Sequence, residues 1–370
     1  MVQETQPYFP PSELKGGWRT LTSVDEVRNI AGMDMETLSK AHTWNEQYPV
    51  ASAVVIIRRG YLVAEWYANG ARADTLFNIY SCTKSFTGTA YGLLFEDIRQ
   101  GRLPASPNVD LDTPAYSYIP AGYPLTDPRK ECITLRHLLS MSSGIPGESI
   151  GIFGASAAPG INAFEAALGR FPLKSSLVSG PLWTSTLAAE PGSKWDYSDP
   201  AFAHLGLAFN HITGQEISQF LRARVFGPIG IENASWEILG LDDGRIGPHV
   251  MPMGGLHLTA RDMARFGYLM LRGGAWQGQR HIAPWWIELA TRNSQPMNPH
   301  YGLTWWLNSA GLWPDAPRDA FAAMGFNTNL CCVIPSLDMV VVRLGLGPTD
   351  HCEIVTAPFL GAVSQSVVSA

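Results

Sequence analysis

The chain is poor in cysteine, lacks any long apolar run and has no block of like charge. Each shortage excludes a class of protein. Five cysteines (Cys82, Cys132, Cys331, Cys332, Cys352) in 370 residues are sparse and odd in number. A disulfide framework is therefore not expected, and a reducing compartment fits. No stretch reaches the roughly 18 apolar residues that a membrane helix needs. The longest, Val50 to Ile57 and Met339 to Leu346, are strand-length. The start, Met1-Val-Gln-Glu-Thr-Gln-Pro7, has no basic segment and no apolar segment of a signal peptide, so a cytoplasmic location is expected. The net charge of -6 is spread along the chain. There is no basic stripe for nucleic acid and no polybasic cluster for a membrane, and neither partner is expected. No Cys/His cluster has zinc spacing. His204 and His211 lie about two helical turns apart, too far for the i, i+4 pair that grips a metal on one helix face. Neither a metal nor an organic cofactor is expected.

What is present is ordinary globular material: 46% hydrophobic and 16% charged residues, in one or two domains. Residues 1–20 are rich in proline and polar residues and read as an arm, followed by a helix-like stretch near Met33 to Glu46. Ala53 to Tyr67 holds two β-rich runs around a turn at Gly60, which is a hairpin pattern. The C-terminal part repeats it, with Asn329–Ile334 and Met339–Leu344 flanking the turn Pro335-Ser-Leu-Asp338. The middle has helical spacing instead, over Ser85–Ile98, Leu135–Met141, Pro200–Ile212, Ile217–Val225 and Thr259–Arg272. Thr259-Ala-Arg-Asp262 opens the last of these with a capping-box pattern in which Asp replaces Glu or Gln. The expected fold is α+β. An antiparallel sheet comes from both termini (residues 1–80 and 315–370), with a mostly helical domain (81–314) inserted. The boundary between them is a natural place for a cleft.

The chemistry-bearing pattern is Ser-x-x-Lys. Serine is a weak nucleophile until a neighbour takes its proton. A lysine three residues on lies one helical turn away on the same face. At a helix start, free backbone N–H groups and the positive dipole end can also hold an oxyanion. The pattern occurs twice. Ser12-Glu-Leu-Lys15 lies in the proline-rich arm with no helix after it, whereas Ser81-Cys-Thr-Lys84 follows the apolar Leu76 to Tyr80 and opens an amphipathic helix. On its own, the second copy fits two readings equally, a nucleophile with its base or an N-cap serine beside a solvated lysine. Tyr197-Ser-Asp199 is either a proton shuttle or a tyrosine packed at a helix start. Ala322-Ala-Met-Gly325-Phe-Asn327-Thr-Asn329 precedes the last hairpin, with a glycine that would let backbone approach a substrate. A rival serine, Ser149, sits in Gly147-Glu-Ser-Ile-Gly151, but the strand before and helix after that such an elbow needs are missing. Trp183, Trp195, Trp305 and Trp306 either line a cleft or pack in the core.

In order, Ser81-x-x-Lys84, Tyr197-Ser-Asp199 and Met324-Gly325 resemble the three motifs of the serine β-lactamases, DD-peptidases and related esterases. His137 to Pro146, Gly254 to Ala264 and Tyr301-Gly-Leu-Thr-Trp-Trp306 resemble the class C β-lactamase-related family. The resemblance spans roughly Ala53 to Gly345 and implies a β-lactamase/transpeptidase-like fold. It implies Ser81 as nucleophile, Lys84 as general base and Tyr197 as proton relay. The backbone N–H groups of Ser81 and Phe326 would form the oxyanion hole, with Asp199 and Gly325 in support. Trp195, Ala323 and Asn327 are candidate pocket residues. Two departures stand out. The second motif usually ends in Asn, and Asp199 would instead favour a charged ammonium on Lys84. The third usually begins with a residue able to meet a substrate carboxylate, and Ala323 cannot. The expected partner is a small neutral ester or amide, with acyl transfer, weak β-lactam hydrolysis or a non-catalytic sensor role as the alternatives.

Overall fold

The computed structural model describes residues 7–103, 108–125, 127–147, 173–174, 181–182, 187–238, 249–347 and 352–368. Its frame is a six-stranded antiparallel sheet. The strands are β1 (Ser52–Arg58), β2 (Tyr61–Ala68), β3 (Trp306–Leu307), β4 (Phe321–Gly325), β5 (Asn329–Ile334) and β6 (Met339–Gly345). They lie side by side in the order β3-β4-β5-β6-β1-β2. The two hairpins read in the sequence meet at the β1–β6 ladder, where Val55 pairs with Val342 and Ile57 with Val340. The sheet thus joins the two ends of the chain. The short edge strand β3 was not read in the sequence.

The central strands are apolar at nearly every position because both faces of the sheet are covered. Side chains alternate between two cores. Ala53, Val55, Ile57, Cys331, Val333, Val340 and Val342 enter the larger one, shared with the central helices. Val54, Ile56, Cys332, Ile334 and Val341 enter the smaller one. Over the smaller core lie α1 (Met35–Glu46), through Leu38, Ala41 and Trp44, and the C-terminal helix Ala357–Gln365, through Phe359, Leu360 and Val363. That last helix also went unread, for its Ala-Pro-Phe-Leu-Gly-Ala run has no polar face to reveal a period. Cys331 and Cys332, neighbours in the chain, point to opposite cores.

In the larger core α2 (Thr83–Arg99) packs against the sheet, α3 (Asp199–Thr213) packs on α2, and α4 (Ala260–Leu271) packs against the sheet. Each begins within two residues of its expected start. Thr259 caps α4 by accepting from the Asp262 amide, and Ser198 caps α3 by accepting from the Ala201 amide. The expected helix over Ile217–Val225 is α-helical only to Leu221 and then widens into a π-turn, Arg222–Phe226. Phe86 of α2 stacks on Phe266 of α4 at 3.8 Å between ring centroids, which fixes the two helices face to face. The arm is clamped to α4: Arg265 donates to the carbonyls of Pro10 and Pro11, and Arg261 bridges Glu13 and Glu65. Among the described residues, no helix is long and apolar enough to cross a membrane.

Candidate active site

Ser81 lies in a 3-10 turn, Tyr80–Cys82, that runs directly into α2. The α-helix it was expected to open begins two residues later, at Thr83, and Tyr80, at the start of the 3-10 turn, takes a left-handed conformation (φ 48°). Such a conformation costs a bulky residue energy and must be held by its surroundings. The Asn78 side chain holds it, accepting from the Tyr80 amide at 2.8 Å. Next to Ser81, Cys82 is fully buried, and burial pushes its thiol well up. It therefore stays a neutral thiol and offers no competing nucleophile.

Lys84 is a buried charge held on several sides. Its side chain is 1% exposed. Its Nζ donates to Ser81 Oγ at 2.8 Å and to the Met253 carbonyl at 2.9 Å, and it stands 2.6 Å from Asp199 Oδ1. The aromatic faces of Tyr197 and Phe202 lie 4.7 and 5.7 Å from the ammonium. A buried cation needs paired charge and satisfied donors, and carboxylate, carbonyl and hydroxyl supply both. The Met253 carbonyl had no signal in the sequence. It is held in place because Thr87 donates to the Pro252 carbonyl and Thr83 accepts from the Leu256 amide. This staples residues 252–256 along the first turns of α2.

Tyr197 and Asp199 arrive together at the start of α3. Ser198, between them, donates to the Pro146 carbonyl and caps the helix. Tyr197 is buried within an aromatic group made with Trp195, Tyr301 and Trp306. Its ring lies nearly parallel to that of Trp306, at 6.3 Å and 23°. Trp306 was read in the sequence as either a cleft wall or a core residue, whereas Tyr301 belongs to a stretch noted there with no role of its own. Of the other tryptophans, Trp305 is in the core, against Phe266 and Phe321, and Trp183 lies outside the described residues.

The end of β4 closes the site from the sheet side. A side chain on Gly325 would meet the amides of Ser81 and Cys82 at 3.0 and 3.1 Å and the Ile79 carbonyl closer still. Only glycine fits between the strand and the serine turn. Phe326 follows, with its ring on that of Tyr80 at 5.6 Å. Asn327, expected in the pocket, is buried, with its carbonyl bonded to Arg343. Ala323, expected on the pocket wall, has no exposed surface and is packed in the larger core. It points from β4 to the face that the central helices cover. The other Ser-x-x-Lys copy shows no comparable site. Its serine, in the arm itself, is buried and Lys15 is exposed. Ser149 lies outside the described residues. His204 is a core histidine bonded to Tyr116 and to the Pro200 carbonyl. No group of three His, Cys, Asp or Glu residues is placed to hold a metal among the described residues.

A hydroxyl bonded to a buried amine, beside a tyrosine and at the start of a helix, can give up its proton to the amine and attack a carbonyl. Comparison with known proteins points the same way. A family model described as Beta-lactamase matches residues 38–348. A 6-aminohexanoate-dimer hydrolase of Paenarthrobacter ureafaciens is 22% identical over 334 residues, 85% of this chain and 78% of that protein. A lovastatin esterase of Penicillium rubens is 26% identical over 170 residues, 44% of this chain and 40% of its own length. Among solved structures, a family VIII carboxylesterase superposes with a TM-score of 0.63 at 17% identity, covering 89% of this chain and 97% of that one.

Proposed function

This chain belongs to the beta-lactamase family, and from that premise we propose that it is a serine hydrolase acting on small neutral esters or amides through an acyl-enzyme on Ser81. The observation that carries the reading is the contact between Lys84 Nζ and Ser81 Oγ, 2.8 Å, inside a buried site. In the proposed cycle Lys84 enters as the neutral amine and accepts the Ser81 proton as Oγ attacks the carbonyl carbon. Asp199, 2.6 Å away, balances the ammonium so formed. The oxyanion sits between the N–H groups of Ser81 and Phe326. The alkoxide or amine leaves with a proton from Lys84, directly or through Tyr197. Water then attacks the acyl carbonyl, gives its proton to the same pair and releases the acid and free Ser81.

The substrate class is supported by two lines. Relatives are named as a 6-aminohexanoate-dimer hydrolase and a lovastatin esterase. Ala323, at the position where the resemblance puts a carboxylate-binding residue, is apolar and fully buried. A β-lactam would therefore lose the ion pair that its carboxylate makes in such sites, and a neutral ester would lose nothing. The test is turnover of a neutral aryl ester by Ser81→Ala. A fall of several orders of magnitude is expected of a lost covalent nucleophile, and turnover within a factor of ten of the parent would end the reading.

A further inference from the structure

The segment that follows Gly325 is strained. Asn327 and Thr328 are consecutive non-glycine residues in left-handed conformations, with φ of 62° and 58°. For a β-branched threonine this is a rare and costly state. A turn of this kind persists only when its surroundings over-determine it, and here the restraint is visible. Arg343, on β6, has no exposed surface. Its guanidinium donates to the Asn327 carbonyl at 2.9 Å, to the Leu346 carbonyl at 2.6 Å and to Asn45 Oδ1 at 3.0 Å. No ion pair to it is found among the described residues. Burial draws its pKa down to about 10, still far above neutral pH, so the buried charge is spent on three neutral oxygens. Asn329 adds a second tie, donating to the Phe326 carbonyl at 2.6 Å and accepting from the Gly345 amide at 3.0 Å. Gly347 lets the turn close, since a side chain there would meet Thr328 Oγ1 at 2.5 Å and the Asn327 carbonyl at 2.9 Å.

A fully buried arginine without a carboxylate is expensive as a purely structural device. Its three bonds join the end of α1, the end of β6 and the strained turn. The geometry points to Arg343 as a positioning residue that, with Asn329, holds the Phe326–Thr328 turn in its left-handed form and so aims the Phe326 N–H at the carbonyl oxygen under attack. It does not touch the substrate. The inference rests on the proposed acyl-enzyme at Ser81, because only then does the direction of that N–H bear on the rate.

Arg343→Lys keeps the charge but cannot reach three oxygens in separate directions. With a neutral aryl ester, kcat should fall about ten- to a hundredfold, the order expected when an oxyanion donor is displaced by a fraction of an ångström. KM should stay within about threefold. A boronic acid, which forms a tetrahedral oxyanion mimic on the serine, should bind more weakly by the same factor as kcat falls. A merely structural role would instead lower thermal stability while leaving kcat and boronate affinity intact. A folded Arg343→Lys with parental kcat, or with reduced kcat but unchanged boronate affinity, overturns the inference. If Arg343→Lys does not fold, Asn45→Ala, which frees one side of the guanidinium without touching the turn, is judged by the same two readouts. Ser81→Ala is assayed in parallel. If it keeps its turnover, the acyl-enzyme reading falls and takes this inference with it. If it is inactive while the Arg343 and Asn45 variants behave like the parent, only the inference falls.

Discussion

Gly325→Ala is the smallest change that probes the seam between the sheet and the serine turn. The added methyl would lie 3.0 Å from the Ser81 amide nitrogen, 3.1 Å from that of Cys82 and nearer still to the Ile79 carbonyl. All three are backbone atoms, so no rotamer change can relieve the overlap. Ordinary contact needs about 3.5 Å. The Ile79 carbonyl sets the requirement, and the end of β4 and the Tyr80–Cys82 turn must therefore part by ~1 Å. Overpacking of this kind costs about 1–3 kcal/mol of stability, which a core of this size tolerates. The catalytic consequence is larger in proportion. A misplacement of ~1 Å can cost about a hundredfold, so a shift of that size between Ser81 and the Phe326 N–H should lower kcat/KM by about a hundredfold. The assay is steady-state hydrolysis of a neutral aryl ester, alongside a thermal melt that shows the protein is folded. A folded Gly325→Ala with parental kcat/KM would refute the reasoning, for it would mean that the rate does not depend on how closely this strand end approaches the serine.

Lys84→Ala and Tyr197→Phe should each lower kcat, and the double variant should lose much less than the product of the two losses, since both groups serve one proton transfer; fully multiplicative losses would separate their roles. A neutral aryl ester should be hydrolysed with kcat/KM about a hundredfold above that for a chromogenic cephalosporin, the worth of one missing cation–carboxylate contact in a partly buried site, and the reverse preference would remove the argument from Ala323. Lys130 is buried, and burial depresses its pKa from 10.5 to about 8. Between those values the unfolded chain holds a proton that the folded protein has shed, so folding is disfavoured below pH 8 and the cost is relieved as pH rises towards 10.5. The stability of the parent relative to Lys130→Met should therefore increase across that window in chemical denaturation, and a constant difference would show that Lys130 keeps its proton on folding.

The frame was legible because its signals are local. The β-rich runs at Ala53 to Tyr67 and Asn329 to Leu344 became four of the six strands. The periodic stretches became α2, α3 and α4, the last with the cap its Thr259 signalled. The spacing of Ser81 and Lys84 already implied a contact, since one helical turn brings the two side chains together. Other features depend on contacts distant in sequence and leave no local trace. The Met253 carbonyl reaches Lys84 across 169 residues of chain, and a backbone oxygen has no residue type to betray it. Arg343 reads as one polar residue in an apolar strand, and its role appears only when Asn45 and Asn327 are seen on either side of it. Ala323 was placed in a pocket by motif position alone, but the helices that cover its face of β4 bury it.

The central claim is that a covalent acyl-enzyme forms on Ser81, and the measurement that meets it most directly is intact-mass analysis followed by peptide mapping. The protein is exposed briefly to an activated neutral ester whose acyl group leaves slowly, then quenched in acid. The account predicts one added acyl mass per chain, carried on the peptide containing Ser81 and absent from Ser81→Ala. An adduct on Ser149 or Ser12, or hydrolysis at the parental rate with no adduct on Ser81, would contradict it.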